Sequence, residues 1–136
     1  MPALLDTGFL LAVLDADDSL HNNCARALQA EANPLLPDVV LPELAYRVVR
    51  ELGHAALSSF LRAVASDELI LVRTEADDLV RAAELMEQYA DNRVDFVDCV
   101  TRALAERLNI QRVLTVDQRH FGAFRPKHCA GFQVIP

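Results

Sequence analysis

The chain has 136 residues, of which 52% are apolar, and its 20 acids against 13 basic side chains leave a formal charge of −7. That length closes a hydrophobic core without metal or disulfide staples, and that apolar content excludes intrinsic disorder. The acidity excludes a protein that grips nucleic acid by bulk positive charge. No apolar run approaches the roughly 18–20 residues of a membrane span. Met1-Pro2-Ala3-Leu4-Leu5-Asp6 lacks the basic segment of a signal peptide, so residence in the cytoplasm is expected. Cys24, Cys99 and Cys129 are odd in number, widely spaced and outside any C-x-x-C pattern, so they read as free thiols of a reducing compartment.

Residues 3–5 form a short buried strand that ends at Asp6, and residues 8–14 a first helix closed by an acidic turn. Asp18 or Ser19 caps a second helix with Leu20, Cys24, Ala27 and Leu28 along one face, and Asn33-Pro34 stops it. Residues 35–41 are a second strand region, of which Pro37 lets only the later part pair in the sheet interior. Pro42 suits the first turn of a third helix over 43–52, which Gly53 ends, and 54–66 is a fourth. A strand at 69–72 is followed by a fifth helix, about 75–89, capped by Thr74. Residues 91–94 are a polar loop, and Asp95 opens a sixth helix to about Leu108, with Asn109 as terminator. Residues 113–116 are a strand ending at Asp117, and 132–135 a last short strand. No repeat or linker divides the chain, so residues 1–136 are expected to be one domain.

Strands separated by helical segments pair in parallel through βαβ crossovers. Continuously apolar strands indicate helices on both faces of the sheet. The expected fold is therefore a three-layer α/β/α unit with a roughly five-stranded parallel sheet, and the functional crevice lies at the carboxyl ends of the strands.

Four segments deliver acids to that edge. Asp6 and Asp117 directly follow strands; Glu43 lies in the first turn of the third helix, and Asp95 and Asp98 in the first turn of the sixth. Each residue also has an ordinary structural use, as a cap, a turn former or an i,i+4 partner such as Glu43 with Arg47. Of the last pair, Asp98 reads as the ligand and Asp95 as the cap. Gathered carboxylates repel one another unless a cation compensates. Hard oxygen donors without His or Cys suit Mg²⁺ or Mn²⁺, and such an ion activates water against a phosphodiester.

The motifs Leu5-Asp6-Thr7-Gly8-Phe9-Leu10, Pro42-Glu43-Leu44, Asp95-Phe96-Val97-Asp98-Cys99 and Leu114-Thr115-Val116-Asp117, in this order, resemble those of PIN-domain proteins, specifically the VapC-type toxins of prokaryotic toxin–antitoxin pairs. The resemblance spans nearly the whole chain, although Cys99-Val100-Thr101 departs from the small apolar run usual after the third acid. It implies a Mg²⁺- or Mn²⁺-dependent endoribonuclease whose catalytic and metal-binding residues are Asp6, Glu43, Asp98 and Asp117. It also places Thr115 near the metal, with Asp95 and Thr7 in supporting positions. A homodimer and a small inhibitory antitoxin are implied in the same way.

Phosphate contacts are expected from Arg119, Arg125 and Lys127, in a C-terminal stretch that lacks acids of its own, with Arg47, Arg50 and Arg102 as further candidates. His21 and His120 are candidate proton carriers, His21 being better suited to a structural hydrogen bond. Rival readings are a catalytically silent PIN-fold binding module and a DNA-directed nuclease of the same fold. A phosphoacceptor receiver domain would need an acidic pair at the first turn, and an aspartyl phosphatase a D-x-D there; Asp6-Thr7-Gly8 supplies neither.

Overall fold

The computed structural model describes residues 1–92, 94–123 and 125–136, without the side chains of Asn92, His120, Gly122 and Ala123. In chain order its elements are β1 (Ala3–Leu5), α1 (Thr7–Leu14), α2 (His21–Gln29), β2 (Pro34–Pro37), α3 (Val40–Leu52), α4 (His54–Ala65), β3 (Ile70–Val72), α5 (Ala76–Gln88), α6 (Phe96–Leu108), β4 (Arg112–Leu114), α7 (Gln118–Ala123) and β5 (Gln133–Ile135), with a 3-10 turn at Ala90–Asn92. Among the described residues five strands form one sheet in the order β3-β2-β1-β4-β5. Every pairing is parallel, with Leu4 opposite Leu35 on one side and Val113 on the other.

The pleat of β1 explains the three layers. Ala3 and Leu5 point into a core built with Phe9, Leu10, Val40, Leu44, Val48 and Phe60 of α1, α3 and α4. Leu4, one residue out of phase, points the other way onto Ala105 and Ile110. Val100 and Leu104 of α6 pack with Ala82 and Leu85 of α5 on that second side. Helices therefore cover both faces, and the middle strands carry no polar residue between their ends.

Several boundaries differ from the sequence reading. In the second strand region it is the earlier part, Pro34–Pro37, that pairs, and the later part turns into α3. Both prolines lie at the strand ends, where a missing N–H costs little, and Asp38 resumes the ladder by donating to the Val72 carbonyl at 2.8 Å. Asp18 does not cap α2; it accepts the Leu20 N–H at 2.8 Å within a tight turn, and the helix starts at His21. Leu20 is exposed rather than on the buried face with Cys24. Glu75, not Thr74, caps α5, with Asp78 accepting the Glu75 N–H at 2.8 Å. Strand β3 is an edge strand with Ile70 and Leu71 exposed. Strand β4 stops at Leu114 rather than reaching Asp117, and a short helix, α7, follows Asp117. Arg93, within the expected polar loop, lies outside the described residues.

Two stops agree with expectation. Gly53 separates α3 from α4 at φ 91°, and Asn109 ends α6 in the left-handed region at φ 55°, conformations that favour these residue types. Asp95 caps α6 by accepting the Asp98 N–H at 2.8 Å.

Candidate active site

Chain order runs outward from β1 in both directions, to β2 and β3 on one side and to β4 and β5 on the other. The boundary between β1 and β4 is thus a topological switch point, where crossovers diverge and leave a crevice at the carboxyl ends of the strands. Asp6 and Thr115 are the residues directly beyond those two strand ends.

Asp6 is only 8% exposed. Its N–H donates to the Leu114 carbonyl at 3.0 Å, which locks the end of β1 to the end of β4. One carboxylate oxygen, Oδ1, accepts the Thr7 N–H at 2.9 Å and caps α1. The other, Oδ2, accepts the Thr115 hydroxyl at 2.8 Å. Thr115 Oγ1 in turn accepts the Asp117 N–H at 3.0 Å. One fully buried hydroxyl therefore ties Asp6 to the turn that carries Asp117. The hydroxyl of Thr7 is buried without a hydrogen-bond partner among the described residues. Gly8 brings the first turn of α1 against that same turn: a Cβ there would stand 3.1 Å from Val116 Cγ2.

Burial pushes the Asp6 carboxyl above its ordinary value, the Thr115 and Thr7 hydrogen bonds pull it back, and the negative charges of Glu43 and Asp117 push it up again. The structure thus brings Glu43 and Asp117 each within electrostatic reach of Asp6. Glu43 is half-buried in the first turn of α3, oriented by the fully buried Leu44 beside it. Asp98 is half-buried in the first turn of α6. Because α6 ends just before β4 begins, its first turn faces the same sheet edge. Asp95 is exposed and engaged as the cap.

Among the described residues, no group of three or more His, Cys, Asp or Glu side chains is placed to hold a metal ion. An open arrangement is what Mg²⁺ or Mn²⁺ accepts, since these ions take one or two protein carboxylates and fill the rest with water and substrate oxygens. The donor chemistry also fits. Each oxygen of Asp6 receives one hydrogen bond and keeps further lone pairs, and the neighbouring charges are negative. A divalent cation would relieve all three carboxylates at once.

The basic candidates separate. Arg119 is exposed on α7, two residues past Asp117, and Arg125 is exposed. Lys127 is not at this edge: its N–H donates to Glu106 Oε2 at 2.8 Å, beside the last turn of α6, the end that feeds the start of β4. The absence of acids in the C-terminal sequence was misleading, because α6 brings Glu106 there. Arg102 is buried with its guanidinium 5.2 Å from the Phe121 ring centre, so it braces α7 and offers no surface for phosphate. His21 donates Nδ1–H to the Ala12 carbonyl at 2.9 Å, a structural bond. The side chain of His120 lies outside the described residues. Burial raises the Cys24 thiol, with Asp18 adding to it, and raises Cys99 as well, so neither is a nucleophile.

Sequence reasoning passed over Asp38. Its carboxylate accepts both the N–H, at 2.9 Å, and the hydroxyl of Thr74, tying the end of β2 to the segment after β3. The sequence carried no such signal, because Asp38 lies inside the expected strand 35–41 and stands after a strand only once β2 ends at Pro37.

The PIN domain family model matches residues 3–125. Ribonuclease VapC26 of Mycobacterium tuberculosis is 33% identical over 134 residues, 98% of this chain and 99% of that protein. Among solved structures, Mycobacterium tuberculosis VapC20, described as a Sarcin-Ricin loop cleaving toxin, superposes with a TM-score of 0.85 at 22% identity, covering 98% of this chain and 99% of that one. VapBC2 from Rickettsia felis, bound to a DNA fragment from its promoter, gives a TM-score of 0.72 at 16% identity with both chains fully covered. With the family pattern running from β1 past α7 and its acids at the switch point of the sheet, the chain belongs to the PIN-domain family.

Proposed function

We propose that this chain is a divalent-metal-dependent endoribonuclease, the toxin of a toxin–antitoxin pair, acting as a single unit over residues 1–136. The observation that carries the reading is Asp6: buried at the switch point, held on both oxygens and pressed by Glu43 and Asp117. A carboxylate kept in so unfavourable a setting is what a cation site requires. The near full-length similarity to a VapC ribonuclease supports RNA as the substrate.

Asp6, Glu43, Asp98 and Asp117 would hold Mg²⁺ or Mn²⁺. When bound, the ion supplies Lewis acidity toward the phosphodiester and a more acidic water. Asp6 and Asp117 keep fixed positions because Thr115 bridges them. Asp95 holds the first turn of α6 in place, and Thr7 donates its N–H to Asp6. Arg119 and Arg125 receive the RNA backbone, and Lys127, beside Glu106, takes no part at the cut. No protein nucleophile is required. A small antitoxin is the proposed partner, supported by structural neighbours that are toxin–antitoxin assemblies. A homodimer in the cytoplasm completes the reading. Among the described residues no helix is long and apolar enough to cross a membrane.

The test is cleavage of a panel of structured RNAs, with tRNAs included, by the wild type and by Asp6→Asn, in Mn²⁺, in Mg²⁺ and in EDTA. Cleavage that needs the metal and disappears in the variant supports the reading. Cleavage in EDTA, or wild-type cleavage by Asp6→Asn, refutes it.

A further inference from the structure

Helix α3 carries more than Glu43. Tyr46, Arg47 and Arg50 follow it three, four and seven residues on, and residues so spaced share one helical face. Val40, Leu44 and Val48 on the adjoining face are fully buried, so Glu43 and Arg47 are half-buried at its border while Tyr46 and Arg50 are exposed. Tyr46 is 69% exposed. The Arg50 guanidinium lies over its ring, 5.8 Å from the centre. The spacing permits a Glu43–Arg47 ion pair, yet it is not among the ion pairs of the described residues. Arg50 reaches Glu51 at 3.4 Å, with both side chains well exposed, an interaction too weak to consume its charge.

An aromatic ring this exposed contributes little to folding. A ring already stacked under a guanidinium is a ready platform for an unpaired base, because every base has a π-face. Arg47 and Arg50 next to it suit the flanking phosphates. At about 1.5 Å per residue the stripe extends about 10 Å from Glu43, continuous with the carboxylate site. Resting on the nuclease reading, we propose that the Tyr46, Arg47 and Arg50 face of α3 is the track for single-stranded RNA next to the cut. Tyr46 stacks on an unpaired base there, and Arg47 and Arg50 hold the neighbouring phosphates. A duplex, with its bases stacked inside, gains nothing from Tyr46.

The experiment uses the full chain and a short fluorescein-labelled single-stranded RNA, alone and annealed to its complement. Cleavage kinetics in Mn²⁺ and fluorescence anisotropy are measured for the wild type, Tyr46→Ala, Tyr46→Phe and the double variant Arg47→Ala, Arg50→Ala. Tyr46→Ala is expected to raise KM about tenfold with kcat little changed, and Tyr46→Phe to restore it, because phenylalanine keeps the stack. The arginine double variant is expected to lower the salt slope of binding by about 1.4, the value for two phosphates on a single strand. Duplex binding should ignore Tyr46. Unchanged KM and salt slope in an active enzyme overturn the track and leave the nuclease reading intact. Altered binding of a protein partner or altered oligomeric mass, with RNA affinity unchanged, makes this face a protein interface and overturns the track equally. If the wild type does not cut RNA, the nuclease reading fails, and anisotropy still decides whether Tyr46 contacts the strand.

Discussion

Replacing Thr115 by valine removes one hydroxyl and almost no volume, at a residue with no solvent exposure. Two hydrogen bonds go with it: the one donated to Asp6 Oδ2 at 2.8 Å and the one accepted from the Asp117 N–H at 3.0 Å. A bond to a charged group contributes about 1.5–3 kcal/mol and an ordinary one about 1 kcal/mol. Asp117 is half-exposed, so water replaces part of the second, and the added methyl returns about 0.8 kcal/mol. The expected loss is about 2–3 kcal/mol, or roughly 10 °C in Tm for a chain of this size. The functional effect is larger than folding alone would give, because Thr115 both orients Asp6 and holds its proton affinity down. Loss of such a supporting bond typically lowers metal affinity or activity about 10–100-fold. Without it the Asp6 carboxyl rises further, so the acid limb of the rate profile moves to higher pH. Thermal melts, Mn²⁺ titration of cleavage and the pH–rate profile measure the three effects, and Thr115→Ser should restore them. A valine variant with wild-type Mn²⁺ dependence and an unmoved acid limb would refute the bridging role.

Asp6→Asn should abolish cleavage yet raise Tm in EDTA. The folded-state carboxyl lies above its unfolded value of 3.8, so the folded chain binds more protons in that window and the wild type loses stability as pH rises through it. The gain should therefore be full at neutral pH and vanish below about pH 4, read from melts across that range. Glu106→Gln should cost about 3 kcal/mol at neutral pH, because it breaks a nearly buried pair with Arg81 at 2.7 Å. Burial opposes the Glu106 charge, but the Arg81 and Lys127 hydrogen bonds and charges outweigh it and hold the carboxyl below 4.5, so this stability is lost as pH falls through the acidic range. Denaturant melts at neutral and acidic pH should show the two chains converging in acid. Gly8→Ala should change stability by less than about 1 kcal/mol, since the partly exposed Val116 yields, while kcat falls as the displacement passes to Asp117. Equal kcat with intact fold would show that the turn tolerates the shift.

The features legible along the chain are local. Asp6 directly after a buried strand, Gly53 and Asn109 at helix ends, Asp95 as a cap and the alternation of strands with helices all follow from neighbours within a few residues. From these follow a parallel sheet and acids at one edge. The rest depends on residues far apart in the chain that folding brings together. Thr115 reaches Asp6 because β4 pairs with β1, a contact no local pattern encodes. The Lys127 backbone sits beside Glu106 in the last turn of α6, and Arg102 turns inward beneath Phe121 of α7. Strand β2 paired through its first half because β1 and β3 set the register and left its prolines at the ends. Hydrogen bonds and charges act over a few ångströms in space, so which of the twenty acids come near Asp6 follows from strand order and not from position along the chain.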